Sequence, residues 1–170
     1  MASKPQDILN NMEKQKISTS DVVLLRLLQK NARITNKELA RAAGIAESTC
    51  LERVRSLQQR GVIRGWHARV DLAAIGRPIR AFISVRLQPK TTTSIRAFQA
   101  EVLDAPETIS LTTLTGADDF IVEVAVSDVD HLRTFVIEHI DSRPNVADTR
   151  TALVYEHRRK AVVEPIVSDH

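Results

Sequence analysis

The sequence has a single cysteine, Cys50, among its 170 residues. One thiol excludes an internal disulfide, and because it falls on the packed side of a predicted helix, we expect it to be a buried small hydrophobe. The five histidines show no spacing typical of metal ligands, so we expect no metal site.

Long hydrophobic runs are also missing. No apolar stretch approaches the length of a membrane span, and the N-terminal segment MASKPQDILNNMEKQK lacks the hydrophobic core of a signal peptide. We therefore expect a cytoplasmic chain with no membrane partner and a flexible leader over residues 1–16. The length and a hydrophobic content of 43% suffice for two small domains.

Charge is divided unevenly along the chain. Residues 1–70 hold 13 Lys and Arg against 6 Asp and Glu, which gives +7, whereas residues 71–170 hold 11 against 15, which gives −4. A basic half releases counterions when it binds DNA, and an acidic half stays off the phosphates. The alternative is an ordinary solvated helical surface, since Lys and Arg are common in helices.

Residues 36–55, from Asn36 to Arg55, predict two short amphipathic helices joined by a turn at Gly44. Thr35 or Asn36 can cap the first helix, and Gly44 ends it because glycine adopts the left-handed conformation at little cost. The second helix then runs over residues 47–59. So short a turn is typical of a helix-turn-helix that reads DNA, although any two linked amphipathic helices give the same pattern.

The second helix has a packed side and a polar side at 100° per residue. The predicted packed side consists of Cys50, Leu51, Val54, Leu57 and Gln58. The predicted DNA-binding residues are Ser48, Thr49, Glu52 and Ser56, with Arg53 and Arg55 on the flanks. Hydroxyls and a carboxylate can bond to base edges in the major groove, whereas flanking guanidinium groups are placed for phosphates.

A third helix precedes these two, with Ser18, Thr19 or Ser20 as its cap and an apolar run over residues 22–28. The helix-turn-helix domain is thus predicted over residues 17–64, and residues 65–79 form a connecting strand or linker. Residues 62–70 are extended in character, as in a short wing, and Trp66 can pack against the helices or against a partner chain.

Residues 80–158 predict strands and helices in the order βαββαβ. Residues 81–87 alternate between apolar and polar side chains, and the sequence GADD is a plausible hairpin loop between the second and third strands. This order is the α+β, ferredoxin-like plan, in which two helices cover one face of a four-stranded antiparallel sheet. Residues 159–170 are left as a C-terminal tail.

The other face of this sheet also needs cover. The segments TISLTTLT and FIVEVAV carry apolar side chains on both sides of their strands. Pairing two sheets, or forming a larger assembly, is the simplest way to bury the second face, which predicts a homo-oligomer.

Three segments together resemble the feast/famine regulators, the Lrp/AsnC family of transcription factors: ITNKELARAAGI, STCLERVRSLQQRGVIRGW and the hairpin LTGADDF. The resemblance implies a winged or plain helix-turn-helix domain, a connecting strand and a ligand-sensing domain, the RAM domain. It also implies homodimers that assemble to octamers. It implies no cofactor, but it does imply a small effector, usually an amino acid. Paired recognition helices would read double-stranded DNA at a pseudo-palindromic operator.

Two positions depart from the family pattern. Relatives usually have an acidic residue where this chain has Ser18, and a serine cap followed by proline where it has Ala46 and Glu47. Alanine is a poor cap, which predicts that the recognition helix begins one residue later, on Ser48.

The hairpin GADD matches a glycine and acidic loop motif of the family. A carboxylate there would hold the ammonium of an amino acid, and loop amides would take its carboxylate. The resemblance implies these effector-binding residues: Thr115, Gly116, Asp118 and Asp119, with Thr149 and Thr151 on the last strand. The alternative is a plain turn favoured by glycine and aspartate.

Two other functions fit the same domain order. Sirohaem decarboxylases share the architecture, but an enzyme of that kind would not need a basic recognition surface. A nucleoid-type protein would wrap DNA around an oligomer with little sequence specificity. The leading hypothesis is a sequence-specific transcriptional regulator, not an enzyme, whose DNA binding or assembly responds to an amino acid or a related metabolite.

Overall fold

The computed structural model describes residues 17–166. The predicted leader, residues 1–16, lies outside the described residues, as do residues 167–170. The chain divides into two compact units, one that runs to Ala68 and also takes in the segment from Arg158, and one that spans Arg69–His157.

Three helices form the first unit: α1 (Thr19–Lys30), α2 (Asn36–Ala43) and α3 (Glu47–Gln59). Ser18 caps α1 and Thr35 caps α2, each through a capping box with the third residue of its helix. Gly44 ends α2 with a φ of 66°, as the turn requires. The buried core of this unit consists of Leu24, Leu28, Leu39, Ala40 and Cys50.

The helix α3 has the predicted range, residues 47–59, but it lacks the later start expected from the poor cap, and its packed side is narrower than predicted. The helix begins at Glu47 and not at Ser48, because the carbonyl of Ala46 already accepts a 2.9 Å bond from the amide of Cys50 without any side-chain cap. Leu51 is 42% exposed, and Gln58 is exposed as well. The predicted packed side was therefore too wide, since α3 meets the core along a narrow stripe.

The segment after α3 does not form the strand predicted for residues 62–70. The amides of Val62 and Ile63 bond back to the carbonyl of Leu57, at 2.9 and 3.1 Å, and residues 64–71 have no regular secondary structure. An extended segment becomes a strand only where another strand satisfies its backbone groups, and the described chain offers it none. Trp66 is 43% exposed.

The predicted C-terminal tail packs on α1. The side-chain amide of Gln29 donates to the carbonyl of Val163 at 3.0 Å and accepts from its amide at 2.9 Å. The guanidinium of Arg26 bonds to the carboxylate of Glu164 at 2.8 Å. Residues 158–166 therefore belong to the first unit.

The second unit has the predicted order βαββαβ. Its elements are β1 (Ile79–Leu87), α4 (Thr92–Asp104), β2 (Thr108–Thr113), β3 (Phe120–Val126), α5 (Val129–Phe135) with a π-helical continuation (Val136–Asp141), and β4 (Val146–Leu153). The strands pair antiparallel in the order β2-β3-β1-β4. The wider π turn puts Phe135 and Ile140, five residues apart, into the same core.

The core of the second unit lies between the sheet and its helices. Its buried strand residues alternate, as in Ala81, Ile83 and Val85 of β1, and they pack against Phe98 of α4. The opposite sheet face carries Phe82, which is 36% exposed. No helix within residues 17–166 is long and apolar enough to cross a membrane.

Candidate DNA-binding surface and effector site

The outer side of α3 carries five of the six predicted DNA-binding residues. Ser48, Glu52 and Arg55 are exposed, and Thr49 and Ser56 are half-buried. The exposed side chains of Ser48 and Glu52 can contact base edges in the major groove, and the guanidinium of Arg55, which has no partner within residues 17–166, can contact phosphate. That these residues contact DNA stays a prediction.

Arg53 lies on the predicted flank of α3, but its side chain bonds to another helix. Its Nη1 donates to Ser18 Oγ at 3.0 Å and to Asp21 Oδ1 at 3.1 Å, so it reaches the first turn of α1. The phosphate contact expected of Arg53 stays a prediction. Arg53 comes three residues after buried Cys50 and four before buried Leu57, which places it beside the packed stripe.

Asp21 is the buried partner of Arg53, with a side chain only 7% exposed. Its Oδ2 also accepts from the amide of Ser18 at 3.1 Å. Burial raises the pKa of this carboxyl, but the hydrogen bonds from Ser18 and the Arg53 guanidinium outweigh that effect and lower its pKa below the ordinary value. Asp21 is therefore ionised at neutral pH and holds Arg53 as a charged pair.

Cys50 is fully buried at the centre of this unit. Burial raises the pKa of its thiol, and the nearby charge of Glu47 raises it further. The thiol therefore stays protonated at neutral pH and behaves as a small hydrophobe, as the sequence predicts. Residues 17–166 contain no cluster of three or more side chains that could hold a metal ion.

The GADD loop connects β2 to β3, and its Asp119 is buried. Asp119 Oδ2 accepts from the amide of Leu87 at 2.8 Å, and its Oδ1 forms an ion pair with Lys90. Burial raises the pKa of Asp119, but the bonds from Lys90 and the Leu87 amide and the charges of Lys90 and Arg86 lower it more. Both carboxylate oxygens thus fasten the loop to the end of β1.

The other predicted effector residues surround the same end of the sheet. Asp118 forms an ion pair with Arg150 of β4, whereas Thr115 and Gly116 are exposed. Thr149 pairs with Val85 on the face that the helices cover, and its hydroxyl is buried with no hydrogen-bond partner in the described chain. Thr151 lies two residues further along the same face of β4 and is exposed.

Comparison with known proteins places both units in one family. A family profile described as the Lrp/AsnC ligand binding domain matches residues 80–162, and one described as winged helix-turn-helix DNA-binding matches residues 17–64. The HTH-type transcriptional regulator AldR of Mycolicibacterium smegmatis is 45% identical over 138 residues, 81% of this chain and 81% of that protein. The chain belongs to the Lrp/AsnC family.

Two further likenesses support this membership. The leucine-responsive regulatory protein of Rhizobium meliloti is 35% identical to this chain over 141 residues. The match covers 83% of this chain and 90% of that protein. A crystal structure of a transcriptional regulator from Neisseria meningitidis in complex with L-Met superposes with a TM-score of 0.79. It is 27% identical, and the match covers 87% of this chain and 96% of that chain.

The predicted family and fold class are confirmed. The Lrp/AsnC chain is a DNA-binding transcriptional regulator, and its relatives are regulators, so the sirohaem decarboxylase alternative is set aside. Family membership also implies that it forms oligomers and answers to small-molecule effectors.

Sequence reasoning missed three residues of these sites in the Lrp/AsnC chain: Asp21, Lys90 and Arg150. Strand alternation predicts only that Arg150 lies on the sheet face opposite to Thr149 and Thr151, and it does not reveal the partner Asp118. Asp21 was identified only as a charge suited to a helix start. Lys90 follows Pro89 in a loop, where no periodicity reveals its partner.

Proposed function

We propose that this regulator responds to an amino acid that binds at the loop between β2 and β3, in residues 114–119. The observation that carries the proposal is the ion pair between Asp118 of this loop and Arg150, whose side chain is 62% exposed and open to a charged ligand. A free amino acid carries one ammonium and one carboxylate, so it can exchange with both members of such a pair.

Asp118 is the better candidate for the effector's ammonium. Asp119 uses both of its carboxylate oxygens within the protein, whereas Asp118 is held by Arg150, whose side chain is 62% exposed. An amino acid could exchange with that surface pair, giving its ammonium to Asp118 and its carboxylate to Arg150 and to the amides around Gly116. Two similar proteins, a leucine-responsive regulatory protein and a regulator solved in complex with L-Met, support this chemical class.

The proposal extends to the assembly and its operator. Dimers that pair through the sheet face containing Phe82, and that assemble further to octamers, would present pairs of α3 helices to a pseudo-palindromic operator in the cytoplasm. The exposure of Phe82 and the net charge of +7 on residues 1–70 support this arrangement.

DNA binding is tested with the full chain on a duplex from upstream of its own gene and on a random duplex of equal length. We expect tighter binding to the upstream duplex at moderate salt and a short protected palindrome in a footprint. Equal affinity for the two duplexes would contradict sequence-specific regulation, and long periodic protection would instead indicate wrapping of the nucleoid type.

Effector binding is tested by a thermal-shift screen over the amino acids. A ligand that binds only the native state adds about 2.7 kcal/mol at a hundredfold excess over its Kd. The matched variants are Asp118→Asn, which should abolish the shift, and Asp104→Asn, which makes the same change on exposed α4 and should keep it. If no amino acid gives a shift, the effector belongs to another chemical class.

A further inference from the structure

Arg53 lies on the recognition helix but bonds away from the reading side. Its side chain is 37% exposed, and its Nη1 bridges Ser18 Oγ and Asp21 Oδ1 at 3.0 and 3.1 Å. Both acceptors belong to the first turn of α1 and its cap. The contact therefore joins the middle of α3 to the start of another helix, 32 residues away in sequence.

The partners of Arg53 are themselves fixed. Ser18 Oγ accepts from the amide of Asp21 at 3.2 Å, and Asp21 Oδ2 accepts from the amide of Ser18 at 3.1 Å. This capping box leaves Asp21 Oδ1 as the oxygen that points to α3. Because the box belongs to the backbone of α1, a guanidinium bonded to it has a defined position and not merely a nearby countercharge.

The recognition helix has few other polar anchors. Ala46 gives it no side-chain cap, and the side-chain amide of Asn36 bonds to the carbonyl of Glu47 at 2.9 Å. Its apolar anchors are fully buried Cys50 and Leu57 and half-buried Val54, whose packing contacts are not directional. The bonds of Arg53 add a directional restraint on the orientation of α3.

We propose that Arg53 is a positioning residue for DNA reading: it sets the orientation of α3 through Asp21 and Ser18 and does not neutralise a phosphate. Arg55 is the contrasting neighbour. It is exposed and has no hydrogen bond or ion pair within residues 17–166, so its full charge is available to DNA. The inference rests on DNA binding by the first unit and assigns different roles to two arginines of one helix.

The two roles leave different signatures in binding data. Loss of a phosphate contact weakens binding equally on all sequences and reduces the slope of log K against log salt by about one. Loss of orientation displaces the groups that read base edges, so it lowers the preference for the operator and leaves the salt slope unchanged.

The test compares Arg53→Gln with Arg55→Gln, which make the same charge change two residues apart. Full-length protein is titrated with the upstream duplex and with a random duplex of equal length, over a range of KCl concentrations. We expect Arg53→Gln to reduce the operator preference about tenfold with an unchanged slope on both duplexes, whereas Arg55→Gln reduces the slope and keeps the preference. A reduced slope for Arg53→Gln on the random duplex would overturn the proposal.

A rescue variant separates positioning from mere stability. Arg53→Gln leaves a buried carboxylate unpaired, so the double variant Asp21→Asn, Arg53→Gln replaces the ion pair with a neutral amide pair. We expect it to fold and to recover part of the operator preference, because it no longer leaves an unpaired carboxylate buried beside α3. A phosphate contact predicts no recovery, since the double variant still lacks the arginine.

Two further outcomes also overturn the proposal. If Arg53→Gln lowers only the unfolding temperature and keeps the operator preference, Arg53 is purely structural. The variant Arg53→Lys retains the charge but not the planar donors. If its operator preference equals that of the parent, and the double variant does not recover that preference, the charge of Arg53 matters and the direction of its bonds does not. If the parent itself has no operator preference, the proposed operator fails, and the slopes on the random duplex still decide whether Arg53 contacts phosphate.

Discussion

Asp21 and Asp119 are the two buried charged side chains of the described residues, one in each unit. Each accepts from one backbone amide and one cation, and each has a lowered pKa. They differ in what they connect. Asp21 joins two helices through an arginine of the recognition helix, whereas Asp119 fastens a loop to the strand beside it.

The same kind of contact, a buried carboxylate bonded to one cation and one backbone amide, therefore serves two purposes. The arginine on Asp21 has donors in a fixed plane, so its bonds to two acceptors define a direction. The lysine on Asp119 is 52% exposed and acts as a compact charge, while the Leu87 amide supplies the geometry. We therefore expect Asp119 to matter most for stability and Asp21 to matter most for recognition.

The largest expected effect on stability comes from Asp119→Ala. It leaves the Leu87 amide without its acceptor inside the sheet unit, and we expect a loss of about 2 to 3 kcal/mol in urea unfolding at fixed protein concentration. Asp118→Ala is the matched control in the same loop, because its partner Arg150 is 62% exposed. Equal losses from the two variants would contradict the fastening role of Asp119.

Asp21→Asn should cost less, about 1 to 2 kcal/mol, because the amide oxygen still accepts from Arg53 or from Ser18. The measurement is thermal unfolding followed by the helical signal. Glu47→Gln is the control, since it removes the same charge from an exposed position on α3. The comparison of the two buried carboxylates fails if Asp21→Asn is as destabilising as Asp119→Ala.

The two carboxyls also predict how stability depends on pH. A carboxyl whose pKa is lower in the folded than in the unfolded state contributes fully above its ordinary value of 3.8, and that contribution is lost as pH falls through the lowered pKa. We expect the double variant Asp21→Asn, Asp119→Asn to lose less stability than the parent when pH is reduced below about 4. Parallel pH profiles for Glu47→Gln and the double variant would refute this.

Local features of the fold were predictable, whereas the partners of charged groups were not. The caps at Ser18 and Thr35, the turn at Gly44 and the order βαββαβ depend on residues close in sequence, and all were confirmed. Leu51 was assigned to the core from the helical periodicity alone, but it is 42% exposed. The periodicity gives the side of the helix and does not show whether another element covers that position.

The candidate sites repeat this pattern. The GADD loop and the polar side of α3 follow from turn chemistry and helical spacing. The ion pair between Arg150 and Asp118 spans 32 residues and depends on strand register, which the sequence leaves open. The bond between Arg53 and Asp21 depends on how two helices pack, so only the side of α3 that carries Arg53 was open to inference.

The smallest expected effect belongs to Gln29, whose side chain holds the backbone of Val163 through two bonds. Both residues are exposed, so water replaces the lost bonds, and Gln29→Ala should change global stability by less than about 1 kcal/mol. The local effect should be clear, because the amide of Val163 loses its acceptor and exchanges its hydrogen faster. Lys30→Ala, at the next position on α1, is the control and should leave that exchange rate unchanged. Unchanged exchange in Gln29→Ala would mean that the C-terminal segment is held on α1 by Glu164 and Arg26 instead.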